Sequence, residues 1–303
     1  MPDTPHRGTT PDHDPLHEVL AVADRLGIDV ACAAAPVFDS SMLIHHSVGQ
    51  LWPGASLYKP LAAVALSRQI GANLSTPVQI TPDDHVPGGA GLSLTQDPVT
   101  LTWRELMRWM LIGSDNTSAQ IILRKVGIAA LAEVASDAGM SATSIVPTSE
   151  SMTTAVRSAR RASEGPKNRA IERDDELLEF ARTDAILGSV TTATDQIKFM
   201  QALWSGTLLD SDGTRTVTAM LGQQLIPHRI SRVISYPGVT VASKTGSCGP
   251  FRHETAVVTH GAEAPVAVCV MTRSLEFDRF VPAIDDAIGE IAAILVNSVR
   301  ARF

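Results

Sequence analysis

Strand-like segments stand at both ends of this chain, and helix-like segments fill its middle. "DVACAAAPVF" (29–38) and "SMLIHHSV" (41–48) read as two strands with "DS" as their turn. Far downstream, "VTVASKTG", "HETAVVTHG" and "PVAVCVMTRS" are short β-branched runs at hairpin spacing, followed by a long closing helix, "VPAIDDAIGEIAAILVNSVRAR". This order predicts one sheet assembled from both termini, with an all-helical subdomain inserted between its halves.

Local signals fill in the rest. "LHEVLAVADRL" (16–26) is an amphipathic helix. A helix is expected to open at Ser56, after Pro53 and Gly54, with Leu57, Leu61, Val64 and Leu66 at buried spacing. "PDDHVPGGAGLSLTQDPVT" (82–100) is dense in Pro, Gly and Asp and reads as a loop. "TWRELMRWMLIG" starts at a Thr102 cap with Glu105 as capping-box partner, "TSAQIILRKVG" ends at Gly127, and "ATDQIKFMQALWSG" ends at Gly206. The segment 157–180 is the most charged and shows the weakest pattern. The expected partition is a disordered tail at 1–14 and one domain over 15–303. Its sheet part covers about 15–55 and 207–303, and its helical part about 56–206.

Composition narrows the class. The 303 residues, 44% hydrophobic and 19% charged, suit a soluble globular protein. The net charge of −7 gives no electrostatic reason to expect a nucleic-acid partner. No apolar run is long enough to span a bilayer, so no membrane partner is expected. The polar start, "MPDTPHRGTTPDHDPLHEVL", lacks the basic and apolar stretches of a secretory leader, and a cytoplasmic protein is expected. Cys32, Cys248 and Cys269 show no metal-ligand spacing, nor do His45, His46, His228, His253 and His260. Thiols are expected, and no metal or cofactor.

Three short stretches carry chemistry: "SLYK" at Ser56 to Lys59, "SDN" at Ser114 to Asn116, and "KTGS" at Lys244 to Ser247. Residues three apart share a helix face, so Ser56 and Lys59 can touch. A serine hydroxyl is a poor nucleophile until a neighbour takes its proton. An ordinary lysine is protonated at neutral pH, but burial beside a second cation lowers its pKa. Each stretch alone is common. Together, in this order, they resemble the signature of class A β-lactamases and penicillin-binding proteins. The similarity extends over roughly 20–300 apart from the charged middle, including "DPVTLTWRELMRWMLIGSDNTSAQIILRKVG" and "SVTTATDQIKFMQALWSGTLL".

The resemblance implies an α/β (α+β) chain with the β-lactamase/transpeptidase-like fold, an antiparallel sheet flanked by helices. It implies a serine hydrolase that works through an acyl-serine intermediate, without metal or cofactor. By position, Ser56 is the nucleophile, Lys59 and Lys244 the lysines of proton transfer, and Ser114 the relay to the leaving nitrogen. The N–H groups of Ser56 and Ser247 would form the oxyanion hole. Asn116 would hold the acyl side chain, and Lys244, Thr245, Gly246 and Ser247 the substrate carboxylate. Arg252, placed by approximate position, would be a second cation for that carboxylate. The expected partner is a small amide, peptide or ester bearing a carboxylate.

One family element is missing. Hydrolytic enzymes of this class carry a Glu-x-x-Leu-Asn motif whose glutamate activates the deacylating water, and no such motif occurs between Ser151 and Thr191. Glu176 and Glu179 stand at about the right distance ahead of Thr191 but lack the Leu-Asn, and "DDELLEF" reads as a solvated helix face. A general base contributes about 10² to 10⁴ in rate. Three readings stay open: a hydrolase of some other amide or ester, a β-lactamase with an unconventional water activator, and a receptor acylated once and scarcely turned over.

Overall fold

A computed structural model describes residues 14–86, 91–145, 189–274 and 281–302. Glu176 and Glu179 lie outside these residues. Asp14 caps the first helix, α1 (Pro15–Leu26), by accepting from Leu16 N–H, and Gly27 ends it in the left-handed region. β1 (Ile28–Pro36) and β2 (Ile44–His46) follow as an antiparallel pair. At the other end of the chain come β7 (Val239–Cys248), β8 (Phe251–His260) and β9 (Val266–Ser274). β9 pairs with β1 over the whole of both strands, Ile28 opposite Ser274 and Pro36 opposite Val266. The result is a five-stranded antiparallel sheet in the order β2-β1-β9-β8-β7, built from both chain ends as the segment pattern predicts.

Each face of the sheet is covered. α1 and the closing helix α9 (Val281–Arg300) bury Val19, Val22, Ile288, Ile291 and Leu295 against one face. The other face carries the helical part, centred on α2 (Lys59–Ile70). Nine consecutive residues of α2, Lys59 to Ser67, are buried, so this stretch runs as a core rod, and only the last turn, at Arg68 and Gln69, reaches solvent. Around it pack α3 (Trp103–Ile112), α4 (Asn116–Val126), α5 (Ile128–Asp137) and α7 (Ser211–Leu221), while α6 (Ala193–Trp204) lies against β1 and β9. Thr102 caps α3 through Glu105 N–H, and Thr192 caps α6 through Asp195 N–H.

Several details differ from the sequence expectation. The helix does not open at Ser56: Ala55–Tyr58 is a 3₁₀ turn and the α-helix begins at Lys59. In an α-helix Ser56 O would accept from residue 60, but Pro60 has no N–H. Lys59 N–H serves that carbonyl instead, one residue early. The 82–100 loop gives up its end to β5 (Val99–Thr102), which pairs with β4 (Pro77–Ile80), because Val99 and Thr100 are β-branched and continue into Leu101 and Thr102. Two two-residue strands, β3 (Trp52–Pro53) and β6 (Val190–Thr191), pair beneath the Ser56 turn. They are too short to leave a periodic signal. A one-turn helix, α8 (Ile230–Val233), precedes β7.

Candidate active site

Ser56, Lys59, Ser114, Asn116 and Lys244 are separated by up to 188 residues in sequence, yet four of them share one hydrogen-bonded cluster. The first turn of α2 points Lys59 into the interior with no exposure to water. Its Nζ donates to Ser114 O at 2.5 Å and Asn116 Oδ1 at 2.9 Å, and lies 3.2 Å from Ser114 Oγ. Lys244, also fully buried, donates to the same Ser114 Oγ at 2.9 Å and to Thr245 O at 2.8 Å. The Ser114 hydroxyl therefore sits between two amines. Ser56 lies half-buried in the preceding 3₁₀ turn and, among the described residues, makes no hydrogen bond through its hydroxyl. Ser56 and Lys59 share a face, yet among the described residues they make no hydrogen bond to each other, because Lys59 Nζ is taken up by the Ser114–Asn116 turn.

Local structure explains how Ser114 reaches that place. It joins α3 to α4 at φ 56°, a left-handed conformation that costs a non-glycine residue about 1–2 kcal/mol. Asp115 compensates by capping α4 through Ser118 N–H at 2.5 Å and taking Leu92 N–H at 2.9 Å. Gly91 is confined by this contact: at φ 81°, a Cβ there would lie 2.1 Å from Asp115 Oδ2.

The electrostatics follow from burial. Desolvation takes Lys59 from 10.5 down to about 7, against the opposing charge of Asp115. Lys244 is also pushed well below its usual range, first by burial and then by Lys59 and Arg229. The sequence argument had burial and a second cation together lowering Lys59. Here burial does that, and the repulsion falls on Lys244. With Lys59 neutral, two N–H groups suffice for Ser114 O and Asn116 Oδ1, and the lone pair is left for a hydroxyl proton. A buried, uncharged amine of this kind can act as a general base near neutral pH.

The strand bearing Lys244 passes close to the Ser56 turn. A Cβ on Gly246 would sit 3.1 Å from Gly54 O and 3.2 Å from Leu57 Cγ, so a side chain there would push strand and turn apart by a few tenths of an ångström. Ser247 follows at the exposed end, and the half-buried Thr245, two residues before it, lies on the same face of the strand.

Arg229 was missed by sequence reasoning. It is 1% exposed, and it donates from Nε to Asp285 Oδ1 at 2.6 Å and from Nη2 to Ser247 Oγ at 2.7 Å. Its Nη1 reaches Gly246 O at 3.1 Å and His253 O at 2.5 Å. Arg252, opposite Ser247 in the ladder, lies beside it, 3.4 Å from the same Asp285 oxygen. The one sequence signal was Asp285 itself, a carboxylate inside the apolar pattern of α9 that would need a buried cation. Glu254, a buried carboxylate raised by desolvation, takes Ser243 Oγ and Ile230 N–H and so anchors the residue after Arg229.

The cysteines are thiols, and burial raises all three pKa values. Among the described residues, no three His, Cys, Asp or Glu side chains converge as a metal site would require. Among the same residues, no helix is long and apolar enough to cross a membrane.

Comparison with known proteins places this geometry. The family model described as "Beta-lactamase enzyme family" matches residues 39–299. A curated relative, "Beta-lactamase regulatory protein BlaB" of Streptomyces cacaoi, is 24% identical over 277 residues, covering 82% of this chain and 86% of that protein. Among solved structures, a β-lactamase from Sphaerobacter thermophilus superposes with a TM-score of 0.75 at 21% identity, covering 95% of this chain and 97% of that one. A class A β-lactamase representative from Bacteroides cellulosilyticus gives 0.77 at 13% identity, covering 97% and 100%. At these identities the solved structures speak for the fold, which is β-lactamase-like, and the family match speaks for descent. With that match spanning nearly all of the domain, the chain belongs to the beta-lactamase enzyme family and is a serine hydrolase.

Proposed function

We propose that the protein works through an acyl-enzyme on Ser56, formed from a small amide, peptide or ester that carries a carboxylate, with β-lactams among the compounds that acylate it. The observation that carries this reading is the state of Lys59. It is fully buried, with a pKa near 7, and its lone pair is left over after Ser114 O and Asn116 Oδ1 are satisfied. Lys59 takes the Ser56 proton as the hydroxyl attacks the carbonyl carbon. Ser114 Oγ, between Lys59 and Lys244, then passes a proton to the leaving nitrogen as the C–N bond breaks. The N–H groups of Ser56 and Ser247 hold the oxyanion. Lys244, Thr245, Gly246, Ser247 and Arg229 make up the subsite for the substrate carboxylate, with the more exposed Arg252 beside the buried Arg229, and Asn116 meets the acyl side chain.

The curated relative is by name a regulatory protein. It favours a second reading, in which Ser56 is acylated once and released slowly, so that the protein reports on a β-lactam or a peptidoglycan fragment. The absent Glu-x-x-Leu-Asn motif supports slow release in either reading. The domain is proposed as one unit over 15–303 behind a short tail, and its three free thiols suit a reducing compartment such as the cytoplasm.

A chromogenic cephalosporin separates the possibilities. Sustained turnover marks a β-lactamase, and a one-equivalent burst marks a receptor. Reaction with an activated ester or a phosphonate probe but not with the cephalosporin marks a different hydrolase. In all three cases mass spectrometry should find the adduct on the Gly54–Arg68 peptide, and labelling that survives Ser56→Ala would remove Ser56 from its role.

A further inference from the structure

His253 stands on β8 directly across the ladder from Gly246 of β7, and none of it is exposed. Its ring lies edge-on to Trp52 at 6.0 Å and tilted against Phe251 at 6.1 Å. Two polar contacts determine its chemical state. Nε2 is 3.0 Å from Pro53 O, and Nδ1 is 3.3 Å from Thr272 N. A carbonyl oxygen can only accept, and a backbone N–H can only donate. The ring proton is therefore on Nε2, Nδ1 is an acceptor, and the imidazole is neutral. Burial, helped by the nearby Arg229 charge, takes its pKa down to about 3, in keeping with that state.

The partner of Nε2 gives the contact its meaning. Pro53 lies three residues before Ser56, on the strap that carries the 3₁₀ turn. On one side this strap is held by β6 and by Gly54 N–H donating to Ser189 O at 2.7 Å. On the other side His253 holds it to the sheet. The backbone of His253 is tied in as well, since its carbonyl shares Arg229 Nη1 with the carbonyl of Gly246. One residue thus joins the approach to Ser56, the arginine at the carboxylate subsite, and the register of the strand that leads to Ser247.

We propose that His253 is a positioning residue for the oxyanion hole: by pinning Pro53 O to β8 opposite Gly246, it fixes the separation between the N–H groups of Ser56 and Ser247. The inference rests on the acyl-serine reading above. Charge develops on the oxyanion only as acylation proceeds, so a loosened hole slows that step and leaves ground-state binding largely intact.

Three variants test this, each checked for folding by circular dichroism. His253→Gln keeps a donor and an acceptor at similar reach. His253→Leu keeps bulk without either, and His253→Asn keeps polarity but is too short to span both partners. Acylation by a chromogenic cephalosporin should be about 10²-fold slower in the Leu and Asn variants, as expected for a displacement of about 1 Å. The apparent binding constant should stay within about threefold, and Gln should restore most of the rate. Leu and Asn variants that acylate at the wild-type rate, or a Gln variant as slow as both, overturn the proposal. Wild-type ¹⁵N NMR gives a readout free of activity. His253 should carry its proton on Nε2 and stay neutral from about pH 5 to 8, and a proton on Nδ1 or a titration in that range overturns the clamp. A wild type that no probe acylates at Ser56 overturns the acyl-serine reading instead, while the NMR result still decides the clamp.

Discussion

Lys59 Nζ and the carbonyl oxygen of Ser114 stand 2.5 Å apart, with Lys59 wholly shut off from water. A serine in the left-handed region aims that carbonyl at an amine that has lost its hydration. Burial destabilises the ammonium form, and the turn supplies acceptors that an amine can satisfy without a third proton.

The lowered Lys59 pKa predicts two pH dependences. Acylation should rise with pH through about 7 in the wild type, because the free base is the active form. Stability should change in the same direction. Lys59 has a folded pKa below its unfolded value of 10.5, so the unfolded chain holds more protons between the two and stability grows from about pH 7 to 10. Lys59→Met should abolish the first dependence and flatten the second. Urea unfolding across that range checks it, and an equal slope in both proteins would contradict the assignment.

Arg229 should be felt in both binding and stability. Asp285→Asn leaves a buried guanidinium short of its counter-charge, and loss of about 3 kcal/mol is expected in chemical denaturation. Arg229→Lys keeps the charge but cannot reach Asp285, Gly246 O and Ser247 Oγ together. It should weaken binding of carboxylate-bearing β-lactams about tenfold or more and affect their methyl esters much less. The ratio of the two apparent binding constants is the measurement.

Gly246→Ala puts a methyl group 3.1 Å from a backbone carbonyl that has little room to withdraw. The strand and the Ser56 turn must separate by a few tenths of an ångström. Acylation is expected to fall about tenfold, less than for a full displacement of about 1 Å, with a stability loss of only about 1–3 kcal/mol. Thermal unfolding and single-turnover acylation, measured on one preparation, show whether the two effects divide in this way.

Acyl-enzyme breakdown tests the missing base. Glu176→Gln and Glu179→Gln should each leave deacylation within about threefold of wild type, whereas loss of a true general base slows it by roughly 10² or more. Loss of adduct mass after removal of excess β-lactam is the readout. A hundredfold slowing in either variant would establish that carboxylate as water activator and bring the β-lactamase reading to the front.

Much of this protein was legible in its order of residues. The β-branched runs at both ends, the Thr102 cap and the glycine stops are local signals, and each yields its element because the responsible contacts lie within a few residues. The three short motifs marked Ser56, Lys59, Ser114 and Lys244 through their resemblance, taken together, to the family signature. Other features escape the periodic pattern or depend on long-range contact. Pro60 turned the start of α2 into a 3₁₀ turn, a local effect that apolar periodicity does not register. Arg229 meets Asp285 and Ser247 across 56 and 18 residues, and His253 meets Pro53 across 200. In sequence these look like an ordinary loop arginine and an ordinary strand histidine. What decided their roles was burial, because a charge or an imidazole removed from water must find its partners wherever the folded chain has brought them. The sequence by itself determined which elements form and which side chains can do chemistry. Only the tertiary structure decided which amine loses its charge and which residues hold the two halves of the site together, since desolvation is a property of the packed chain and of no segment within it.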